Sequence, residues 1–128
     1  MFMIVPKKIK TGDKVGVIST ARKISMEELC PAIKILESWG LNVVLGKYIF
    51  EQQNQFAGTI DQRRSDLQNM ISDDSISAIF CARGGYGTIQ IIDQIDFSKL
   101  ENNPKWIIGY SDITILHSHL NTLGIASM

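Results

Sequence analysis

Ile76-Ser77-Ala78-Ile79-Phe80-Cys81 runs directly into Ala82-Arg83-Gly84-Gly85-Tyr86-Gly87, a β-rich apolar stretch set against a glycine-dense loop. A short apolar run bounded by turn signals reads as a buried strand. The same unit recurs upstream and downstream. Val15-Gly16-Val17-Ile18-Ser19 is a β-rich run that ends in the polar loop Thr20-Ala21-Arg22-Lys23. Trp106 to Tyr110 is another, ending at Ser111 and Asp112. Leu41-Asn42-Val43-Val44-Leu45 reads as a further strand.

Helical patterns separate these strands. Ser25 and Glu28 have capping-box spacing, Leu29, Ile33, Leu36 and Trp39 recur at helical steps, and Gly40 stands where a C-cap glycine belongs. Pro31 falls inside that pattern, so the helix either kinks there or starts near Cys30. Asp61 is placed to cap a helix reaching about Ser72, with Leu67, Met70 and Ile71 as its apolar face. Thr88 to Ile95 reads as a short helix and Asn102-Asn103-Pro104 as a loop. Asp112 to Leu123 reads as a helix stopped by Gly124, after which Ile125-Ala126-Ser127 begins another strand. Strands alternating with helices predict an α/β domain with a mostly parallel sheet flanked by helices. Ligands of such sheets gather at the carboxyl ends of the strands. The loops at 19–23, 83–87 and 110–112 are therefore expected on one rim.

Composition narrows the function. The 128 residues suit one domain, and 45% hydrophobic with 20% charged residues is ordinary for a soluble globular chain. Lys plus Arg equals Asp plus Glu at 13 each, so no broad basic footprint for nucleic acid or an anionic membrane exists. No stretch approaches the roughly 20 apolar residues of a membrane span. The apolar start is short, and its lysines follow rather than precede it, the wrong order for a signal peptide. Cys30 and Cys81 lack metal-ligand spacing and fit a reducing compartment. A cytoplasmic protein is expected, with no nucleic-acid or membrane partner and no metal.

Ser111 lies between an apolar strand and a helical run. A serine there can be held on a sharp turn that projects its hydroxyl, with the unpaired N–H groups of a helix start behind it. Both favour attack on a carbonyl, the N–H of Asp112 being the first oxyanion donor. The same residues also fit a simple N-cap, with Asp112 interacting with the helix N-terminus. Gly85 can lend a second N–H, and Arg83 can pair with a substrate carboxylate. Tyr86 joins Arg83 as a candidate substrate-binding residue. The loop equally fits a tight connection with a surface arginine. Its spacing is neither G-x-G-x-x-G nor a P-loop, and no cofactor is expected.

A nucleophilic serine needs a base within about 3 Å. His117 and His119 lie roughly 9 and 12 Å along the helix from Ser111, out of reach of its hydroxyl. Their spacing places them on different helix faces, which disfavours a shared metal. Cys81 is expected to be buried as a small apolar residue rather than to act as a thiolate.

Taken together, the motifs resemble the N-terminal part of the LD-carboxypeptidase family, peptidase family S66, which includes the microcin C self-immunity peptidases. They are, in order, Lys10 to Ile18, Leu36 to Leu41, Ala57-Gly58-Thr59, Arg63 to Leu67, Cys81 to Gly87 and Ile108 to Thr114. The resemblance implies a class I glutamine amidotransferase-like, flavodoxin-like domain over 1–128. It further implies a Ser-Glu-His triad in which Ser111 is the catalytic serine, and an oxyanion hole at Asp112 and Gly85. The glutamate and histidine would come from a C-terminal domain of the same protein, so the isolated chain is expected to be inactive. The implied reaction removes terminal D-alanine from murein tetrapeptides during cell-wall recycling, and a homodimer is common in the family. A microcin-immunity-type peptidase and a non-catalytic anion-binding α/β domain are the alternatives.

Overall fold

The structure, a computed structural model, describes residues 2–128, and Met1 lies outside the described residues. Four strands, β1 (Lys14–Ile18), β2 (Asn42–Leu45), β3 (Ile76–Cys81) and β4 (Trp106–Ile108), form one sheet in the order β2-β1-β3-β4. All three pairings are parallel. The chain moves outward from β1 to β2 and then crosses to β3 on the other side of β1. That reversal is the switch point at which doubly wound sheets place their ligand sites, and here it falls between β1 and β3.

The helix α1 (Met26–Ser38) forms as its cap predicts. The Ser25 hydroxyl accepts from the Glu28 N–H, and the Glu28 carboxylate accepts from the Ser25 N–H, both at 3.1 Å. At the other end Gly40 donates to Glu37 and Leu41 to Leu36, a Schellman closure. The regular helix begins at Met26, so Pro31 lies inside it and a later start near Cys30 is not seen. An interior proline costs about 3 kcal/mol. Full burial of Leu29 and Leu36, each contributing roughly 1.5–3 kcal/mol, offsets that together with the cap. Trp39, read as part of the apolar face, is instead the C-cap and is 61% exposed.

Helix α2 (Ile60–Ser72) is capped by Thr59 and not by Asp61. Thr59 and Gln62 form a second capping box, while Asp61 sits in the first turn and pairs with Arg64. Residues 88–95 are two 3₁₀ turns, Thr88–Gln90 and Ile92–Gln94, rather than an α-helix. The Asp112 carboxylate takes the Thr88 N–H and the Thr88 hydroxyl bonds Thr20, so this segment is held by side chains from elsewhere. A short α3 (Lys99–Asn102) precedes β4, which ends at Ile108, before the expected Tyr110. A 3₁₀ turn at Ser111–Ile113 leads into α4 (Thr114–Thr122), replacing the single helix expected from Asp112. Ile125 bridges to Ile4, and Met128 exchanges backbone bonds with Ile107 and Gly109 beside β4.

The two sheet faces carry separate cores. Leu67, Met70 and Ile71 of α2 and Leu116 and Leu120 of α4 pack with Ile18, Ile79 and Ile107 on one face. Leu29 and Leu36 of α1 pack with Val15, Val17 and Ala78 on the other. Among the described residues no helix is long and apolar enough to cross a membrane.

Candidate active site

The loops after β1, β3 and β4 meet on one rim, as the strand–helix alternation predicts. The Arg22 N–H donates to the Gly84 carbonyl at 3.4 Å, and the buried Thr20 and Thr88 hydroxyls bond at 2.8 Å. Gly84 closes the third side. A Cβ built on it would stand 3.2 Å from Ser111 Cβ, 3.4 Å from Ser111 Oγ and 3.6 Å from the Asp112 nitrogen. A side chain at residue 84 would therefore lie in tight contact with the serine, and glycine leaves that side of Ser111 open.

Ser111 is exposed and holds φ = +61°, a left-handed conformation that costs a non-glycine residue roughly 1–2 kcal/mol. Its hydroxyl makes no capping bond, since neither the 3₁₀ turn nor α4 has a side-chain cap. The N-cap reading of Ser111 therefore does not describe this structure. What remains is a strained serine on a strand-to-helix turn, with its hydroxyl at the sheet's carboxyl edge and the N–H groups of a helical start behind it. The Asp112 carboxylate lies in the first turn of its own helical start but makes no capping bond there. It accepts from Thr88 at 3.0 Å and so fastens the serine turn to the glycine loop.

Arg63 has a role that motif reading did not supply. It is 1% exposed, and its guanidinium donates to the carbonyls of Gly58, Thr20 and Gly87 and to the Gln90 side chain, at 2.6–3.4 Å. It also lies over the Phe56 ring at 4.6 Å. Burial pushes its pKa down, and the charge of Asp112 opposes that shift. One cation thus binds three loops into the floor of the rim. Its position was a usable signal: Arg63, Leu67, Met70 and Ile71 share one helical stripe, so the arginine sits where an apolar residue would.

The other sequence candidates are placed as follows. Gly85 has φ = +98° and faces Arg22, whereas its neighbour Gly84 is the glycine against Ser111. Arg83 turns away toward α1, donating from Nη1 to the Lys23 carbonyl at 3.1 Å and to Glu28 at 3.2 Å. Tyr86 is 55% exposed on the rim, its ring tilted against Phe56. His117 is fully occupied, with Nδ1 2.6 Å from Ser127 Oγ and Nε2 donating to the Gly109 carbonyl at 2.7 Å. His119 packs on Phe97. Neither imidazole is bonded to Ser111. Burial pushes the Cys81 thiol up to about 12, which makes it a poor nucleophile. Among the described residues no cluster of three His, Cys, Asp or Glu could hold a metal.

This geometry has close counterparts among known proteins. Residues 15–128 match the model of the LD-carboxypeptidase N-terminal domain. The chain belongs to the LD-carboxypeptidase family. A probable murein peptide carboxypeptidase of Bacillus subtilis is 45% identical over 91% of this chain and 37% of its own length. The murein tetrapeptide carboxypeptidase of Pseudomonas aeruginosa is 33% identical over 90% of this chain and 38% of its own length. The crystal structure of an MccF-like protein from Bacillus anthracis superposes with a TM-score of 0.88 at 30% identity, over 97% of this chain and 40% of that one. The chain therefore spans about two-fifths of the length of these family members.

Proposed function

We propose that this chain is the nucleophile-bearing N-terminal domain of a serine LD-carboxypeptidase that releases terminal D-alanine from a murein tetrapeptide. The observation that carries this reading is Ser111 itself, exposed, left-handed and uncapped, with Gly84 pressed against it. The 45% identity to a probable murein peptide carboxypeptidase supports that substrate over a peptide–nucleotide conjugate. Free cysteines fit a cytoplasmic enzyme of cell-wall recycling.

In this mechanism Ser111 Oγ attacks the carbonyl before the D-alanine. The negative charge that develops on the carbonyl oxygen is met by the Asp112 N–H and by an N–H of the Gly84–Gly85 segment. A histidine from a second domain takes the serine proton and passes it to the departing amine as the C–N bond breaks. A glutamate orients that histidine, and water then hydrolyses the acyl ester. His117 is held by Ser127 and Gly109, and His119 packs on Phe97, which supports a base supplied from outside the chain.

Mass spectrometry of the products tests this in the protein carrying both domains. The tetrapeptide is expected to lose one alanine, and Ser111→Ala to lower the rate by at least about 10³-fold. Undiminished alanine release by Ser111→Ala would exclude the serine mechanism. The isolated chain is expected to release none.

A further inference from the structure

Two arginines reach the rim, and the structure treats them differently. Arg83 already has a partner, its Nη1 shared between the Lys23 carbonyl and the Glu28 carboxylate. Arg22 has none for its charge: among the described residues no carboxylate pairs with it and no acceptor bonds its guanidinium. Yet Arg22 is firmly placed. Its N–H donates to the Gly84 carbonyl, its own carbonyl accepts from the Ser19 hydroxyl at 2.6 Å, and it forms an antiparallel bridge with Phe56.

The side chain then runs across Gly85. A Cβ built there would meet Arg22 Cγ, Cδ and Nε at 2.5, 2.6 and 2.7 Å, so the arginine stem fills the space that this glycine leaves. The next glycine back, Gly84, is the one against Ser111. Adjacent Cα atoms stand about 3.8 Å apart, so the serine and the arginine stem rest on neighbouring residues of one loop. Arg22 follows β1 and the glycines follow β3, the two strands that flank the switch point.

We infer that Arg22 is the specificity residue that reads the carboxylate at the substrate's C-terminus. The inference rests on the peptidase reading above. In a substrate losing its last residue, the terminal carboxylate is one residue from the carbonyl that Ser111 attacks. A positively charged fork carried on a stem that lies against Gly85, next to the glycine beside the serine, is suited to pair with it bidentately. With zero net charge on the chain, selection for a free C-terminus rests on such a local group.

Calorimetric binding to the two-domain protein in a Ser111→Ala background tests this without relying on turnover. The probes are a synthetic murein tetrapeptide ending in D-alanine and the same peptide ending in a carboxamide. Arg22→Ala is expected to weaken binding of the free acid by about 10- to 100-fold and to leave the amide unchanged. Arg22→Lys recovers part of the loss. Arg22→Gln keeps much of the stem over Gly85 and removes the charge, so it decides the question if the alanine variant folds poorly. Equal losses on acid and amide, no loss, or an acid-selective loss in Arg83→Ala instead would overturn the assignment. Failure of the protein with Ser111 intact to release alanine would overturn the peptidase reading separately, since the acid–amide difference is read from binding alone.

Discussion

The two ends of the sheet each bury a cation, and they use it for different purposes. At the carboxyl edge Arg63 joins the carbonyls of Gly58, Thr20 and Gly87, which belong to loops after three different elements. At the amino edge Lys105, 1% exposed, donates to the carbonyls of Asp73 and Ile76 within a single α2–β3 connection. Burial pushes both pKa values down. In neither case does a carboxylate touch the cation; backbone carbonyls, joined at Arg63 by the Gln90 side-chain oxygen, do the solvating. A buried charge that closes one turn is a structural fastener. A buried charge that gathers loops from across the switch point fixes the geometry of whatever binds there.

The strongest way to break this contrast is Arg63→Ala, which leaves several buried acceptors unpaired. A loss of roughly 3–5 kcal/mol in urea unfolding is expected, with alanine release falling in the two-domain protein and Arg63→Lys intermediate. Lys105→Met is expected to cost about 2–3 kcal/mol while alanine release stays unchanged. If Lys105→Met damaged turnover as much as Arg63→Ala, the two ends would not differ in role.

Strain sharpens the contrast further. At φ = +61°, Ser111→Gly is expected to be about 1 kcal/mol more stable than Ser111→Ala, and both lose turnover. Equal melting temperatures would remove strain from the account. The smallest effect concerns Asp66, which is buried on α2 and accepts the Tyr48 N–H at 3.0 Å. Burial raises its carboxyl pKa above the ordinary value, with the Tyr48 and Lys47 N–H groups opposing. The folded state therefore holds this proton longer than the unfolded chain, and stability from this group falls as pH rises through its folded pKa. Asp66→Asn is expected to gain on the parent protein between mild acid and neutrality, read as the difference in unfolding free energy at the two pH values.

Much of this was legible in the sequence, and the rest has physical reasons for being hidden. Strand positions, the Ser25–Glu28 box and the shared rim follow from local pattern, which the sheet only amplifies. Thr59 lost to Asp61 as the expected cap although Thr59 and Gln62 have the same box spacing as Ser25 and Glu28. The 88–95 segment reads as helical because Thr88, Ile91, Ile92 and Ile95 keep that period. Tertiary bonds from Asp112 and Thr20 hold it in 3₁₀ turns. Arg63 and Lys105 read as surface charges unless their places are weighed, one on the α2 apolar stripe and one in step with buried Ile107. Which of Arg22 and Arg83 stays free depends on Glu28, 55 positions from Arg83, and no local pattern encodes that.

The central claim is that this chain brings the nucleophile while the base comes from elsewhere. Peptide mapping after reaction with a phosphonate ester analogue of the tetrapeptide tests both halves at once. The two-domain protein is expected to carry the adduct on Ser111, and the 128-residue chain to remain unlabelled. An adduct on any other residue, or equal labelling of the isolated chain, would contradict the account.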